Sequence, residues 1–216
     1  MNELIQRSIL KAHNFNEFSA TDYLVSYKNM LEIIKEREAL KGDKIYITFY
    51  DNDSNKISLT YKEFAVKVYQ LANYLLENGI KKGDRVATFS HNHYKTVILY
   101  FASWVIGAVV VPVNVSEESN RVEFILDNSD SKIIFTKEDY LNKLNGLNLK
   151  NKIIIANFDN IDFEKYSSEL ISNIKTDKED ECLIVYTSGT TGNPKGVVLT
   201  QYNLMADALA ISNWHN

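Results

Sequence analysis

The sequence predicts an α/β fold in which layered helices surround a mostly parallel sheet. Three features of the 216-residue chain predict it. From Arg85 onward, short runs rich in Val and Ile alternate with helix-length segments, the pattern of strands joined by helical crossovers. The 21 residues from Thr96 to Ser116, "TVILYFASWVIGAVVVPVNVS", carry no charge and are interrupted by Gly107. Residues 60–79 carry a full set of helix start and stop signals.

Residues 1–22 are polar and mixed and are read as an N-terminal arm, with residues 23–216 as one unit. Tyr27 to Leu40 sets Met30, Leu31, Ile34 and Leu40 among charges, a moderately amphipathic helix. "KIYITFY", "DNDSNK" and "ISLT" then read as strand, tight turn and strand, a hairpin. Thr60-Tyr-Lys-Glu63 is a capping box, in which each side chain satisfies a backbone N–H at the helix start. Phe64, Ala65, Val68, Leu71, Ala72, Leu75 and Leu76 follow in one stripe with the 3.6-residue period. Lys62, Glu63, Lys67, Gln70 and Asn73 take the other side, and Gly79 supplies the stop.

"RVATFS" is the next strand, and the uncharged run follows. It is long enough to cross a bilayer as one helix. Divided at Gly107, it becomes a buried helix (Tyr94 to Ile106) and a buried β-branched strand (Ala108 to Val113), which is what an α/β core requires. The second reading agrees with the rest of the chain, so no transmembrane segment is expected. Helix "VEFILDN", strand "KIIFT", a helical piece at "YLNKL", strand "KIIIA" and a helix at "FEKYSSELISNI" come next. The charged "KTDKEDE" is a solvated loop leading to strand "CLIVYT", a Gly/Thr loop, strand "VVLT" and helix "QYNLMADALAISNW".

Composition narrows the function. Hydrophobic residues at 45% and charged residues at 24% are ordinary for a globular protein. A net charge of -4 without a basic cluster argues against nucleic acid as a partner. Cys182 is the single cysteine, which excludes an intrachain disulfide and a cysteine-based metal site, and no signal-peptide run opens the chain. A cytoplasmic location is the expectation.

The chemistry concentrates at "TSGTTGNPKG", Thr187 to Gly196, in a chain with only 8 Gly and 2 Pro. Counting from Gly189, Lys195 falls where a Walker A lysine would, but Pro194 replaces the second glycine and Gly196 the metal-holding hydroxyl. The strand-like "VVLT" that follows provides no helix N-terminus, and the spacing of Gly189, Gly192 and Gly196 fails the dinucleotide fingerprint. The composition still suits phosphate. Glycines let successive N–H groups converge on an anion, Thr187, Ser188, Thr190 and Thr191 add hydroxyl donors, and Lys195 adds a point charge.

This stretch, with "IVY" before it and "VVLTQYNL" after it, resembles the signature loop of the adenylate-forming (AMP-binding) enzymes, which include acyl-CoA synthetases, luciferases and peptide-synthetase adenylation domains. "LTYKEFAVKVYQLANYLLENGIKKGDRVATFSHNH" and "FASWVIGAVVVPVNV" resemble the family's early helix, its Gly-Asp-Arg-Val strand and its Gly-Ala-x-x-x-Pro segment, in the family's order, from about Lys44 to Asn216. The resemblance implies activation of a carboxylic acid by ATP as an acyl-adenylate, with pyrophosphate released, and transfer to a thiol, commonly coenzyme A. It implies that Thr187, Ser188, Gly189, Thr190, Thr191, Gly192 and Lys195 contact the β- and γ-phosphates. Thr191 would also help hold Mg2+, and Pro194 and Gly196 would shape the loop. "LTQYNLMADALAISNWHN" is similar to fatty-acid–CoA ligases more than to peptide-synthetase domains, and a fatty substrate would be compatible with peripheral membrane association. Aryl, short-chain and amino acids stay open as substrates, as does a short non-catalytic module.

The sequence departs from the family in length. Family members are more than twice as long, and the aromatic-Gly-x-Thr-Glu motif, the ribose-holding aspartate, the acyl pocket and the late catalytic lysine have no match here. Residues 1–216 are therefore expected to be the N-terminal portion of the enzyme, inactive alone. Gln201 stands where many relatives carry histidine. His91 and His93 form an H-x-H pair with no third ligand in view, Asp84 and Arg85 are read as shaping a turn, and Cys182 as a core residue.

Overall fold

A computed structural model describes residues 25–187 and 193–215. Helix α1 (Met30–Lys41) leads into the hairpin strands β1 (Ile45–Tyr50) and β2 (Lys56–Thr60), and helix α2 (Tyr61–Glu77) follows. Strand β3 (Arg85–Phe89), helix α3 (Tyr94–Val105), strand β4 (Val109–Pro112), helix α4 (Ser119–Ser129) and strand β5 (Ser131–Thr136) alternate in the middle of the chain. A short helix α5 (Leu141–Asn145), strands β6 (Ile154–Asn157), β7 (Glu181–Thr187) and β8 (Lys195–Thr200), and helix α6 (Gln201–His215) complete it. The expected arm at residues 1–22 lies outside the described residues.

β1 and β2 pair with each other, while the other strands form one sheet in the order β6-β5-β3-β4-β7-β8, parallel except for the antiparallel β7–β8 pair. Alternation assigns the sheet's two faces. Val86, Ile133 and Phe135 pack with α2 and α3, whereas Ala87, Phe89, Val111 and Ile134 pack with Val122, Ile125 and Leu126 of α4. Both faces are covered, so β3, β4 and β5 read as near-continuous hydrophobic runs. A third cluster of Met30, Trp104, Val110, Cys182 and Met205 ties α1, α3 and α6 to β4 and β7.

The expected stop and start signals act as read. Thr60 and Glu63 make both bonds of the capping box. Gly79 (φ 81°) and Gly107 (φ 74°) close α2 and α3 with paired reverse bonds, Ile80 N–H to Leu75 O and Ala108 N–H to Ser103 O. Gly107 is doubly required, because a methyl group there would sit 2.8 Å from Lys82 Cγ. The uncharged run therefore folds as α3 and β4, and among the described residues no helix is long and apolar enough to cross a membrane. Arg85 donates from Nε to Ser129 O at 2.5 Å and from its terminal nitrogen to Asp130 Oδ2 at 2.7 Å, which places its charge on the α4 C-terminus, where helix carbonyls accumulate partial negative charge. Asp84 accepts the Lys81 N–H at 2.8 Å. The Gly-Asp-Arg stretch shapes a turn, as read.

Two expectations are corrected together. The helix read over "FEKYSSELISNI" is a 3-10 turn at Phe163–Lys165 followed by an extended strap, and Gln70 and Asn73 face that strap rather than solvent. Asn73 Nδ2 donates to Ser167 O (3.1 Å) and Glu169 O (2.8 Å), and its Oδ1 accepts the Ile171 N–H (2.9 Å). One buried amide takes up backbone groups that a helix would have bonded internally, so the extended form is stabilised without a ladder.

Candidate functional site

In a parallel sheet, all carboxyl ends lie at one edge, and ligands bind where neighbouring strands send their connections to opposite faces. That condition is met between β3 and β4, since α3 packs on one face and α4 on the other. A crevice of about 450 Å³ opens there, lined at the strand ends by Thr88, Ser90, Pro112, Val113, Val185 and Tyr186. Its polar wall includes Thr96, Tyr100, Asn114 and Glu117. Ser90 Oγ and Thr96 Oγ1 lie 3.2 Å apart in hydrogen-bond contact. Pro112 closes the Gly-Ala-x-x-x-Pro segment, but the others do not stand out in the sequence; the signal available is their position at or near the carboxyl ends of β3, β4 and β7.

The Gly/Thr loop leaves from the same edge. Thr187 and Lys195 are register partners at the end of the β7–β8 ladder, with Thr187 Oγ1 3.5 Å from Lys195 O. Both are exposed, and Lys195 enters no ion pair among the described residues. Pro194 is buried beside them. Ser188, Gly189, Thr190, Thr191 and Gly192 lie outside the described residues, as does the metal contact expected of Thr191. The described stem thus sets a hydroxyl and an ammonium at one mouth, a donor set suited to phosphate oxygens.

His91 lines the same crevice, whereas His93 does other work. His93 caps α3, its Nδ1 accepting the Lys95 N–H at 3.2 Å, and its ring lies 4.6 Å from those of Phe49 and Tyr94. Burial is the first cause, and Lys137 and Lys95 the second, of a pKa lowered from 6.5 to about 4, against an opposing pull from Asp159. His91 meets the edge of Tyr140. Among the described residues, no group of three or more His, Cys, Asp or Glu gathers as a metal site. Cys182 is fully buried, and burial pushes its thiol up to about 12, which leaves it without thiolate character near neutrality.

The His93 environment yields a pH prediction. The unfolded chain takes up a proton below about pH 6.5 that the folded chain refuses until about pH 4, so this group's contribution is complete above 6.5 and is lost as pH falls toward 4. His93→Asn keeps a cap acceptor that does not titrate. It should flatten the fall in urea midpoint between those values, and an unaltered acid limb would assign the fall to other groups.

Among known proteins, the family profile described as "AMP-binding enzyme" matches residues 34–216. A long-chain-fatty-acid–CoA ligase of Bacillus subtilis (strain 168) is 28% identical over 223 aligned positions, covering 87% of this chain and 39% of the relative. Tyrocidine synthase 1 of Brevibacillus parabrevis is 26% identical, covering 80% of this chain and 15% of that protein. The chain therefore spans well under half the length of these relatives. The solved Mycobacterium tuberculosis fatty acyl CoA synthetase superposes with a TM-score of 0.70 at 24% identity, covering 80% of this chain and 34% of that one, and shows the same fold.

Proposed function

The chain belongs to the AMP-binding enzyme family, and from that membership we propose that the whole protein joins a carboxylic acid, a fatty acid first among them, to coenzyme A at the expense of ATP. The observation that carries the reading is the placement of Thr187 and Lys195 at one mouth, on the same sheet edge as the switch-point crevice. In this reading the carboxylate attacks the α-phosphorus, the bond to pyrophosphate breaks, and the acyl-adenylate then yields its acyl group to the thiol with loss of AMP.

Residues 187–195 hold the β- and γ-phosphates. Thr187 offers a hydroxyl that can rotate toward either, and Lys195 balances the charge that grows on the departing pyrophosphate. Magnesium, when bound, neutralises phosphate charge.

Exchange of labelled pyrophosphate into ATP tests it. The intact protein that carries residues 1–216 should exchange label only when a carboxylate is supplied, with fatty acids ahead of aryl and amino acids. Exchange without any acid, or none with every acid supplied, would count against ligase chemistry. A preference for an amino acid would retain adenylation and replace the acid.

A further inference from the structure

Tyr186 and Gly196 face each other across the β7–β8 ladder, one residue before Thr187 and one after Lys195. Gly196 is not among the positive-φ glycines, so its backbone does not demand glycine. Space does. A methyl group at 196 would lie 2.9 Å from Ile184 Cγ2 and 3.2 Å from Tyr186 Cζ. The tyrosine ring covers the place where a side chain at 196 would stand, as aromatic residues do over glycines in paired strands. Its far end is also fixed, because Tyr186 Oη donates to Asn128 Oδ1 on α4 at 2.6 Å. Ile184 and Tyr186 share the face packed against the α4 cluster, so the ring is anchored at its base by packing and at its tip by a hydrogen bond.

These contacts form a chain of mechanical connection. The α4 helix holds Asn128, Asn128 holds the Tyr186 hydroxyl, and the ring lies over Gly196. The residues immediately beyond that brace are the hydroxyl and the ammonium at the loop mouth. We propose that Tyr186, held by Asn128, is a positioning residue that sets the separation and direction of Thr187 and Lys195 for phosphate binding. Removal of the tyrosine hydroxyl leaves the ring in place and frees its tip, so the two stems gain freedom without loss of core volume. The proposal rests on the phosphate reading given under Proposed function, and it adds a role for two residues that touch no phosphate.

The test uses the intact protein that carries residues 1–216 and inorganic tripolyphosphate with magnesium as the probe. Tyr186→Phe, Asn128→Ala and the double variant are titrated calorimetrically beside the parent, and amide hydrogen exchange is followed at Thr187 and Lys195. Each single variant should weaken tripolyphosphate about five- to tenfold, the effect of one lost hydrogen bond. Each should also speed exchange at both amides, and the double variant should be no worse than either single, because both remove one interaction. In the exchange assay, the KM for ATP should rise more than the KM for the acid, because the freed stems carry the phosphate contacts. Gly196→Ala, which presses on the ring instead of freeing it, should give the same pattern.

Tyr186→Phe with parental affinity and parental amide exchange overturns the proposal and leaves the phosphate reading intact. A double variant whose loss is the sum of the two singles also overturns it, since the residues then act separately. A parent that binds no tripolyphosphate overturns the phosphate reading itself, and the positioning role falls with it.

Discussion

In the proposed ligase, Lys195→Ala is expected to lower kcat/KM for ATP by about a hundred- to a thousandfold, the loss seen when one charge-stabilising group is removed from the site of a developing anion. Position is the reason. Lys195 opens β8, opposite Thr187, and its exposed side chain enters no ion pair among the described residues. A lysine that stabilised the fold would be expected to meet a carboxylate or carbonyl. Lys82, for comparison, reaches both Asp180 at 2.7 Å and the Lys175 carbonyl at 3.0 Å. The alanine variant should therefore keep the parent's melting temperature, because its backbone pairing is unchanged and exposed substitutions of this kind stay within about 0.5 kcal/mol.

The loss should divide in a particular way. If Lys195 only gathers ATP, KM rises and kcat is unchanged; if it acts on pyrophosphate as charge develops, kcat falls as well. The second is expected. Lys195→Arg retains charge but replaces a compact ammonium by a planar fork, and should recover part of the activity. Activity of Lys195→Ala within about threefold of the parent, less than the tenfold that 1.4 kcal/mol represents, would remove the lysine from the phosphate site.

How much of the fold and site is legible in the sequence depends on the range of the interaction responsible. Capping at Thr60 and Glu63, the stops at Gly79 and Gly107, and the turn at Asp84 are decided within a few residues, and each is readable from spacing. The parallel sheet is readable because burial on both faces leaves unbroken apolar runs in β3, β4 and β5. The helix expected over residues 163–174 fails for a long-range reason: Asn73, on a different element, binds the backbone of the strap. Nothing within that segment's own pattern carries the information. The same holds at the site. The hydroxyls and lysine of the loop stand out locally, whereas the crevice is assembled from β3, β4 and β7, and the Tyr186–Asn128 bond joins residues 58 positions apart.

Gln201 is the most concentrated case of a long-range role, and its replacement carries the largest stability effect expected. At 0% exposure, its Oε1 accepts the Met30 N–H at 2.8 Å, and its Nε2 donates to Trp104 O at 3.1 Å. Met30 opens α1, so its N–H is one of the donors a helix cannot satisfy internally, and Asn29 is already engaged with Glu32. Trp104 is in the last turn of α3, where carbonyls lack internal partners, although the Gly107 N–H supplies one bond. A single amide thus closes the start of α1 and the end of α3 from the first residue of α6.

Gln201→Leu conserves approximate volume and removes both bonds, leaving a buried N–H at Met30 without its acceptor. The cost should be about 3 kcal/mol, the sum of an unsatisfied buried donor and one weaker hydrogen bond. For a chain of this size that is a fall in melting temperature of roughly 6–12 °C. Gln201→His offers one acceptor and one donor when neutral and should retain more stability than leucine at pH 8. On acidification the protonated ring loses its acceptor, so the histidine variant should converge on the leucine variant as its imidazole titrates, while the parent does not. Urea midpoints of the three proteins at two pH values decide the matter: a leucine variant as stable as the parent would mean that water or a rearranged backbone satisfies Met30, and that the buried amide is not what joins α1 to α3.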